Sequence, residues 1–281
     1  MRALRRLRPA LGSLVEIGLA SVADEGSAAV AIGAAYARIA EVERKLSFHS
    51  SDSELTLLNC SGGDWVPLSA LSLRVLHLAQ VVTRASNGLY NLTIGGAMLR
   101  RGLLPDHGSA WTTPLLDVGS ADDVELRAGA ARLRRPLRIT LDGLAKGYAV
   151  DLAVRELRQH RVAAGWVNAG GDLRVFGELS LPISRRDGDG RPVPLGGLRN
   201  AAIASSGAGG VLAARQAGVV LAADGSALAD GEWSVIAHRA WLADALTKVA
   251  AQCTRAQRLQ WLPRLGGRWV EAAAVQLGDA A

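Results

Sequence analysis

Apolar positions change period along this chain, and each change marks a new element. Ala31, Ala35, Ile39, Val42 and Leu46 recur every three to four residues, which predicts an amphipathic helix over Ser27 to Leu46. Ser69 to Ser86 reads the same way and stops at Asn87-Gly88, a pair suited to ending a helix. Between them, Leu46 to Asn59 reads as a polar loop followed by a short helix, with Ser51 or Ser53 as its cap and Glu54 in its first turn. Leu11 to Leu19 reads as a strand, and Pro114 to Val118 and Val124 to Leu126 as short strands in an irregular region. Alternation through Trp166, Val167, Leu173 and Val175 predicts a strand broken at Gly170-Gly171. Leu179 to Arg199 has the form of two strands joined by a charged tip at Arg185 to Arg191. Glu232 to Ala250 reads as a strand and then a helix opening near Ala243-Asp244. Trp261, Leu262, Leu265, Trp269 and Val270 close the core, and the residues from 271 onward read as a frayed tail.

One stretch, ITLDGLAKGYAVD from Ile139 to Asp151, combines three features. Ile139 and Leu141 alternate like a strand, Asp142-Gly143 breaks it, and from Leu144 the apolar residues Tyr148, Leu152 and Leu157 take helical spacing. The first N–H groups of such a helix lack internal partners and carry partial positive charge, which suits an anion such as a pyrophosphate. Lys146 adds a full charge there; the chain has only three lysines, Lys45, Lys146 and Lys248, against 29 arginines. The same residues also read as a plain helix start, with Gly143 and Gly147 present for close packing.

Composition bounds these readings. At 281 residues and 49% hydrophobic content the chain can bury a full core, as one large domain or two intertwined ones. The net charge of +6 suits an acidic ligand. The arginines are scattered and aromatic residues are only 4%, so there is no basic stripe interleaved with aromatics to point to nucleic acid. Cys60 and Cys253 form neither a metal pattern nor a disulfide framework. No run of 18 apolar residues predicts a membrane span. The N-terminal MRALRRLRPALGSLVEIGLASVA has the outline of a signal peptide, but Glu16 interrupts its apolar run. We read it as a strand in a cytoplasmic protein, with export as the alternative.

GLAKGYAVD, Gly143 to Asp151, resembles the DLGGIAKGYAVD signature of the FAD:protein FMN transferases, the ApbE family. It departs at Thr140 and Asp142, where that family often has Asp and Gly. Further segments resemble the family in its own order. LGSLVEI, which contains Ser13, is similar to an opening MGTLVEI strand. Phe48, Ser53, Glu54, Leu58 and Asn59 match an element that helps shape the flavin site, while His49 reads as surface polarity. LYNLTIGGAML keeps Thr93 and Gly95 of a FDPTVGPL stretch but has Asn91 for Asp and Leu92 for Pro, and it reads equally as a turn between elements. Asn168, Gly170, Gly171 and Asp172 match N-x-GGD, which reads alternatively as a glycine bulge in a hairpin. Ser205, Ser206 and Gly207 match an ATSG turn within Asn200 to Gly210. ADALTK resembles ADALATA, in which the Asp and a Thr one turn later bind magnesium.

The resemblance implies an α+β fold of mixed sheets and helices in two intertwined lobes, T-fold-like, over the whole of residues 1–281. It implies FAD as donor and magnesium as cofactor, with FMN passed to a Thr or Ser hydroxyl of an acceptor protein and AMP released. Carried over residue by residue, Lys146, Asp244 and Thr247 are the catalytic candidates, and the metal ligands are Asp244, Thr247 and the Ala145 carbonyl. Flavin-nucleotide contacts are expected from Ser13, Ser53, Glu54, Thr93, Asp142, Gly143, Lys146, Asp151, Gly170, Gly171, Asp172, Ser206 and Gly207. Two departures bear on the chemistry. Thr247 lies three residues after Asp244 and Lys248 fills the fourth place, so either a magnesium ion or the Lys248 ammonium is available to neutralise phosphate. The family's HIIDPRTG, aligned on its last glycine, falls on Gly218 to Gly225, which puts Gly218 in the histidine slot, Leu221 in the Asp slot and Ala222 in the Pro slot. Neither Gly218 nor Leu221 moves a proton, so a flavin-binding protein without transfer activity, acting as carrier or regulator, is the alternative function. His238 reads as a displaced base or as an ordinary residue at a strand end.

Overall fold

Val15, Ile17 and Leu19 are fully buried at every second position, and this period-two face makes β2 (Ser13–Val22) a wall of the main core. The structure, a computed structural model, describes residues 2–186, 191–208, 220–229 and 231–271. β2 pairs with β1 (Arg2–Ala10) on one side and β6 (Gly165–Ala169) on the other. The sheet continues through β7 (Asp172–Phe176), β10 (Ala202–Ala208), β11 (Gly231–Ala237) and β12 (Gly267–Val270). These seven strands, in the order β1-β2-β6-β7-β10-β11-β12, pair antiparallel throughout. A smaller sheet holds β3 (Val66–Pro67), β5 (Ala130–Leu133) and β4 (Val124–Arg127) in that order, and β8 (Ser180–Arg186) pairs with β9 (Pro192–Arg199) as a hairpin.

Helices cover one face of the large sheet. α1 (Glu25–Leu46) packs on α5 (Ala145–Gln159), which packs in turn on α6 (Ala240–Ala251). α2 (Glu54–Cys60), α3 (Ala70–Ala85) and α4 (Gly95–Arg100) lie in the segment that carries the small sheet, and α7 (Arg255–Arg264) precedes β12. Because successive strand residues face opposite ways, β7 sends Phe176 into the helical core and Leu173 and Val175 into a second core with Leu195, Leu198, Ile203 and Ile236, on the side of the β8–β9 hairpin. β10 behaves likewise: Ala202 and Ala204 face the helices, and Ser206 continues that row.

Several elements differ from the sequence reading, each for a physical reason. Ile139 to Leu141 is not a strand. It is a buried extended segment whose backbone finds partners outside any sheet: the Asn59 side chain donates Nδ2–H to Ile139 O (2.9 Å) and accepts from Ile139 N (2.8 Å), and Thr140 N donates to Leu92 O (2.9 Å). Pro114 to Val118 also forms no strand; Leu116 N and Asp117 O bond to Pro136 and Ala97 instead of to a ladder. Ala202 to Ala208, read as a turn, is strand β10. α6 opens at Ala240 rather than near Asp244, because Arg239 is the extended residue at its start. The other boundaries hold to within a few residues, with Ser53 rather than Ser51 capping α2 and accepting from Thr56 N. Residues 187–190 of the hairpin tip, 209–210 of the alanine-rich stretch and 272–281 of the tail lie outside the described residues.

Asn59 is 1% exposed, and among the described residues its amide is the partner of both the N–H and the C=O of buried Ile139. Asn59→Leu keeps the volume and removes both bonds; we expect a loss of roughly 2–4 kcal/mol in urea unfolding, from two groups at about 1–2 kcal/mol each. An unchanged midpoint contradicts this account of the segment.

Candidate functional site

Helix α5 begins without a side-chain cap. Ala145 N is already bonded to Leu141 O at 2.8 Å, and Gly147 N donates to Asp244 Oδ2 of α6 at 3.4 Å. A carboxylate from another helix thus sits where a helix N-terminus favours negative charge. Contact this close needs Gly147, since a Cβ there would lie 2.4 Å from Ala240 O. The Lys146 N–H and the Lys146 ammonium make no hydrogen bond among the described residues, so they are the positive groups of this turn left for a ligand.

Asp244, 2% exposed, stands at the centre of a network. Its Oδ1 is 2.6 Å from Lys248 Nζ, one helical turn on. Lys248 Nζ also donates to Ser206 Oγ of β10 at 3.0 Å, and Ser206 Oγ lies 2.7 Å from Thr247 Oγ1. Thr247 Oγ1 in turn donates to Asp244 O at 2.7 Å. The lysine stem passes over Gly143 in the turn before α5: a Cβ on Gly143 would stand 3.0 Å from Lys248 Cε and 3.2 Å from a ring carbon of Tyr90. Segments about a hundred residues apart, the Lys146 turn and the Asp244 helix, therefore meet directly.

Two more carboxyl groups face this centre. Asp172 is buried where β7 begins, after the Gly170-Gly171 turn; burial, followed by the charge of Asp244, pushes its carboxyl up to about 8, against the opposing pull of Lys146 and Lys248. Asp142, in the turn before α5, is exposed. Desolvation raises its carboxyl, while the charges of His49, Lys146 and Lys248 and a hydrogen bond from Thr140 act the other way. The buried Tyr90 hydroxyl is raised by desolvation and then by Asp244 and Asp142. Gly170 and Gly171 adopt left-handed backbone (φ 61° and 108°) that permits the tight turn, and Gly171 N donates to Asn168 Oδ1 at 3.2 Å. Ser13 Oγ lies 2.4 Å from where a Gly170 Cβ would be, so Ser13 borders the same turn.

Of the residues anticipated from sequence, Asp142, Gly143, Lys146, Asp172, Ser206, Asp244 and Thr247 gather here, and Ala145 and Gly207 adjoin them in sequence. Others are committed elsewhere. Ser53 caps α2 and donates to Ser47 O. Glu54 binds Lys45 at 2.6 Å and Ser69 N at 2.9 Å, and these hydrogen bonds hold its carboxyl down to about 2 against desolvation. Thr93 is fully buried between Asn91 Oδ1 and Gly119 N. Asp151 is ion-paired with Arg174 and accepts from Trp241 N at 3.1 Å. These four were expected to touch the nucleotide; in the structure their side chains are bonded to the protein frame. His238 belongs to the Asp151 side, where its charged neighbours are Arg239, Asp151 and Arg174. Gly218 lies outside the described residues, whereas Leu221 and Ala222 belong to a turn anchored through Ala223, whose N donates to Gln252 Oε1 and whose O accepts from Asn91 Nδ2.

Sequence reasoning missed Tyr90, since a tyrosine beside Asn87-Gly88 gave no chemical signal. His49 is exposed, as expected, and its charge acts on Asp142.

The expected magnesium donors were the Ala145 carbonyl, Asp244 and Thr247. Their set matches a hard cation poorly as arranged: Asp244 Oδ1 carries the Lys248 ammonium, Oδ2 faces the Gly147 N–H, and the Thr247 hydroxyl is bonded on both sides. Among the described residues no group of three or more His, Cys, Asp and Glu is placed to hold a metal.

Among solved structures the chain is similar to the ApbE protein of Thermotoga maritima, with TM-score 0.76 and 22% identity, covering 95% of this chain and 93% of that one. It is also similar to the flavinyl transferase ApbE of Pseudomonas stutzeri in its apo form (TM-score 0.76, 16% identity, 92% and 87% covered). A third match is the flavin transferase ApbE of Vibrio cholerae (TM-score 0.70, 20% identity, 88% and 86% covered). No curated protein matches the chain. A family profile described as the ApbE family matches residues 11–269, and the chain belongs to that family.

Proposed function

We propose that this protein is a flavin transferase that takes FMN from FAD and esterifies it to a Thr or Ser hydroxyl of an acceptor protein, releasing AMP. In that reaction the bond between the FMN phosphorus and the bridging oxygen breaks, and a bond to the acceptor oxygen forms. The acceptor's proton leaves, and AMP departs with the bridging oxygen. The observation that carries the reading is the direct meeting of the Lys146 turn and the Lys248–Asp244 pair in an ApbE-family fold.

The chain's own groups have evident work in such a step. Phosphoryl transfer needs positioning and neutralisation of oxygens more than covalent help. The free Lys146 ammonium and N–H offer both, and Lys248 spends two of its three N–H donors on Asp244 and Ser206, which leaves one. Asp172, held protonated at neutral pH, is a proton donor that adds no negative charge opposite the phosphates. No step is assigned to magnesium, because Lys248 stands on the carboxylate that would bind it.

The test is incubation of the purified protein with FAD and an acceptor domain carrying a Thr/Ser flavinylation sequence. A fluorescent acceptor band that survives denaturing gels, with one AMP per flavin attached, is expected; Lys146→Ala lowers the rate roughly 10²–10³-fold, in line with the loss of one oxyanion-stabilising donor. FAD binding without adduct favours a carrier, and the absence of binding rejects both readings.

Asp172 supplies a second test. Its carboxyl is raised in the folded chain, so its contribution to stability is complete below its unfolded value of about 3.9 and is lost as pH rises towards about 8. Asp172→Asn does not titrate. Its stability relative to the parent protein, measured by urea unfolding, is expected to improve from pH 5 to pH 8; parallel profiles contradict the shift.

A further inference from the structure

The Asp244 carboxylate already has a cation. Lys248 Nζ lies 2.6 Å from Oδ1 and 3.0 Å from Ser206 Oγ, and its stem is seated in a slot formed by Gly143 and Tyr90. Gly143 gives the stem room, since a Cβ there would stand 3.0 Å from Lys248 Cε and the stem would have to yield by a few tenths of an ångström. A magnesium ion bound to Oδ1 at its usual distance of about 2.1 Å would stand within about 5 Å of that ammonium, two positive charges on one carboxylate. The other side-chain oxygens offer no better start, since Asp244 Oδ2 faces Gly147 N–H and Thr247 Oγ1 is bonded to both Ser206 and Asp244 O. A lysine here is also unusual for this chain, which has three lysines among 32 basic residues.

We propose that the Lys248 ammonium replaces the divalent cation of this site, so that the protein binds the diphosphate of its nucleotide without metal and excludes metal from Asp244. The ammonium is pinned by two donated bonds, and its side chain keeps 22% of its surface open, which leaves its third N–H for a phosphate oxygen. The nucleotide half of this proposal rests on the flavin-transferase reading; the metal half does not.

Two measurements on the full chain separate them. The first uses Mn²⁺ alone, followed by electron paramagnetic resonance and by thermal melting. The parent protein is expected to leave Mn²⁺ free and its melting temperature unmoved. Lys248→Thr uncovers the carboxylate and is expected to bind Mn²⁺ and melt higher in its presence, and the further change Asp244→Asn abolishes both effects. Mn²⁺ bound by the parent protein and lost with Asp244→Asn overturns the proposal, as does a folded Lys248→Thr variant indifferent to Mn²⁺. The second measures the FAD dissociation constant by flavin fluorescence, in EDTA and in magnesium. The parent value is expected to be the same in both. Lys248→Thr is expected to bind roughly 10- to 100-fold more weakly in EDTA, the worth of one charged hydrogen bond, and to recover with magnesium. A parent protein that binds FAD only with magnesium contradicts the proposal. If FAD binds under neither condition, the functional reading fails, and the Mn²⁺ experiment still decides the role of Lys248. Should Lys248→Thr not fold, Lys248→Arg keeps the charge and must retain FAD binding in EDTA, while Lys248→Gln must lose it.

Discussion

A single buried carboxylate ties this molecule together at its candidate centre. Asp244 reaches out of α6 to the first turn of α5, and along its own helix it holds Lys248. Burying a lone carboxylate is costly unless charge and hydrogen bonds answer it. Here the answers come from two helices, with strand β10 joining through Ser206. The arrangement fixes the relation between the Lys146 turn and the core.

Around that link the fold does two separate things. The large antiparallel sheet supplies rows of side chains at period two, so that Ser206 and the residues of the Gly170-Gly171 turn arrive at the helical face without any strain on the core. Small residues do the rest: Gly147 lets the backbone of α5 approach Ala240 more closely than any larger residue would allow, and Gly143 gives the Lys248 stem room. Charge is then nearly balanced by environment. Lys146 and Lys248 face three carboxyl groups, but Asp172 is pushed towards its neutral form by burial and by Asp244, which leaves the site less negative than a count of charges suggests.

Much of this was legible in the sequence. Helical and strand periods placed α1, α3 and α5 and the β6–β7 and β8–β9 hairpins, since each carries its own apolar face. The motif GLAKGYAVD marked the turn, and ADALTK marked its partner. What could not be read was set by distant contacts. Ile139 to Leu141 alternates like a strand, yet Asn59 supplies its hydrogen bonds from 80 residues away. Glu54 and Asp151 sit in motifs that suggest ligand contact, but each finds a protein partner, Ser69 and Arg174, that sequence spacing does not reveal. The choice between a metal and an ammonium was visible as a one-residue displacement, Thr247 then Lys248, and needed the Gly143 slot to be understood.

The central claim, that an ammonium occupies the cation position of this site, is tested most directly by a crystal structure of the protein soaked with FAD and excess Mn²⁺, with anomalous scattering used to locate the metal. The account predicts Lys248 Nζ between Asp244 and a phosphate oxygen, with no anomalous peak at that carboxylate. A manganese peak on Asp244, with Lys248 swung away from Ser206, contradicts it.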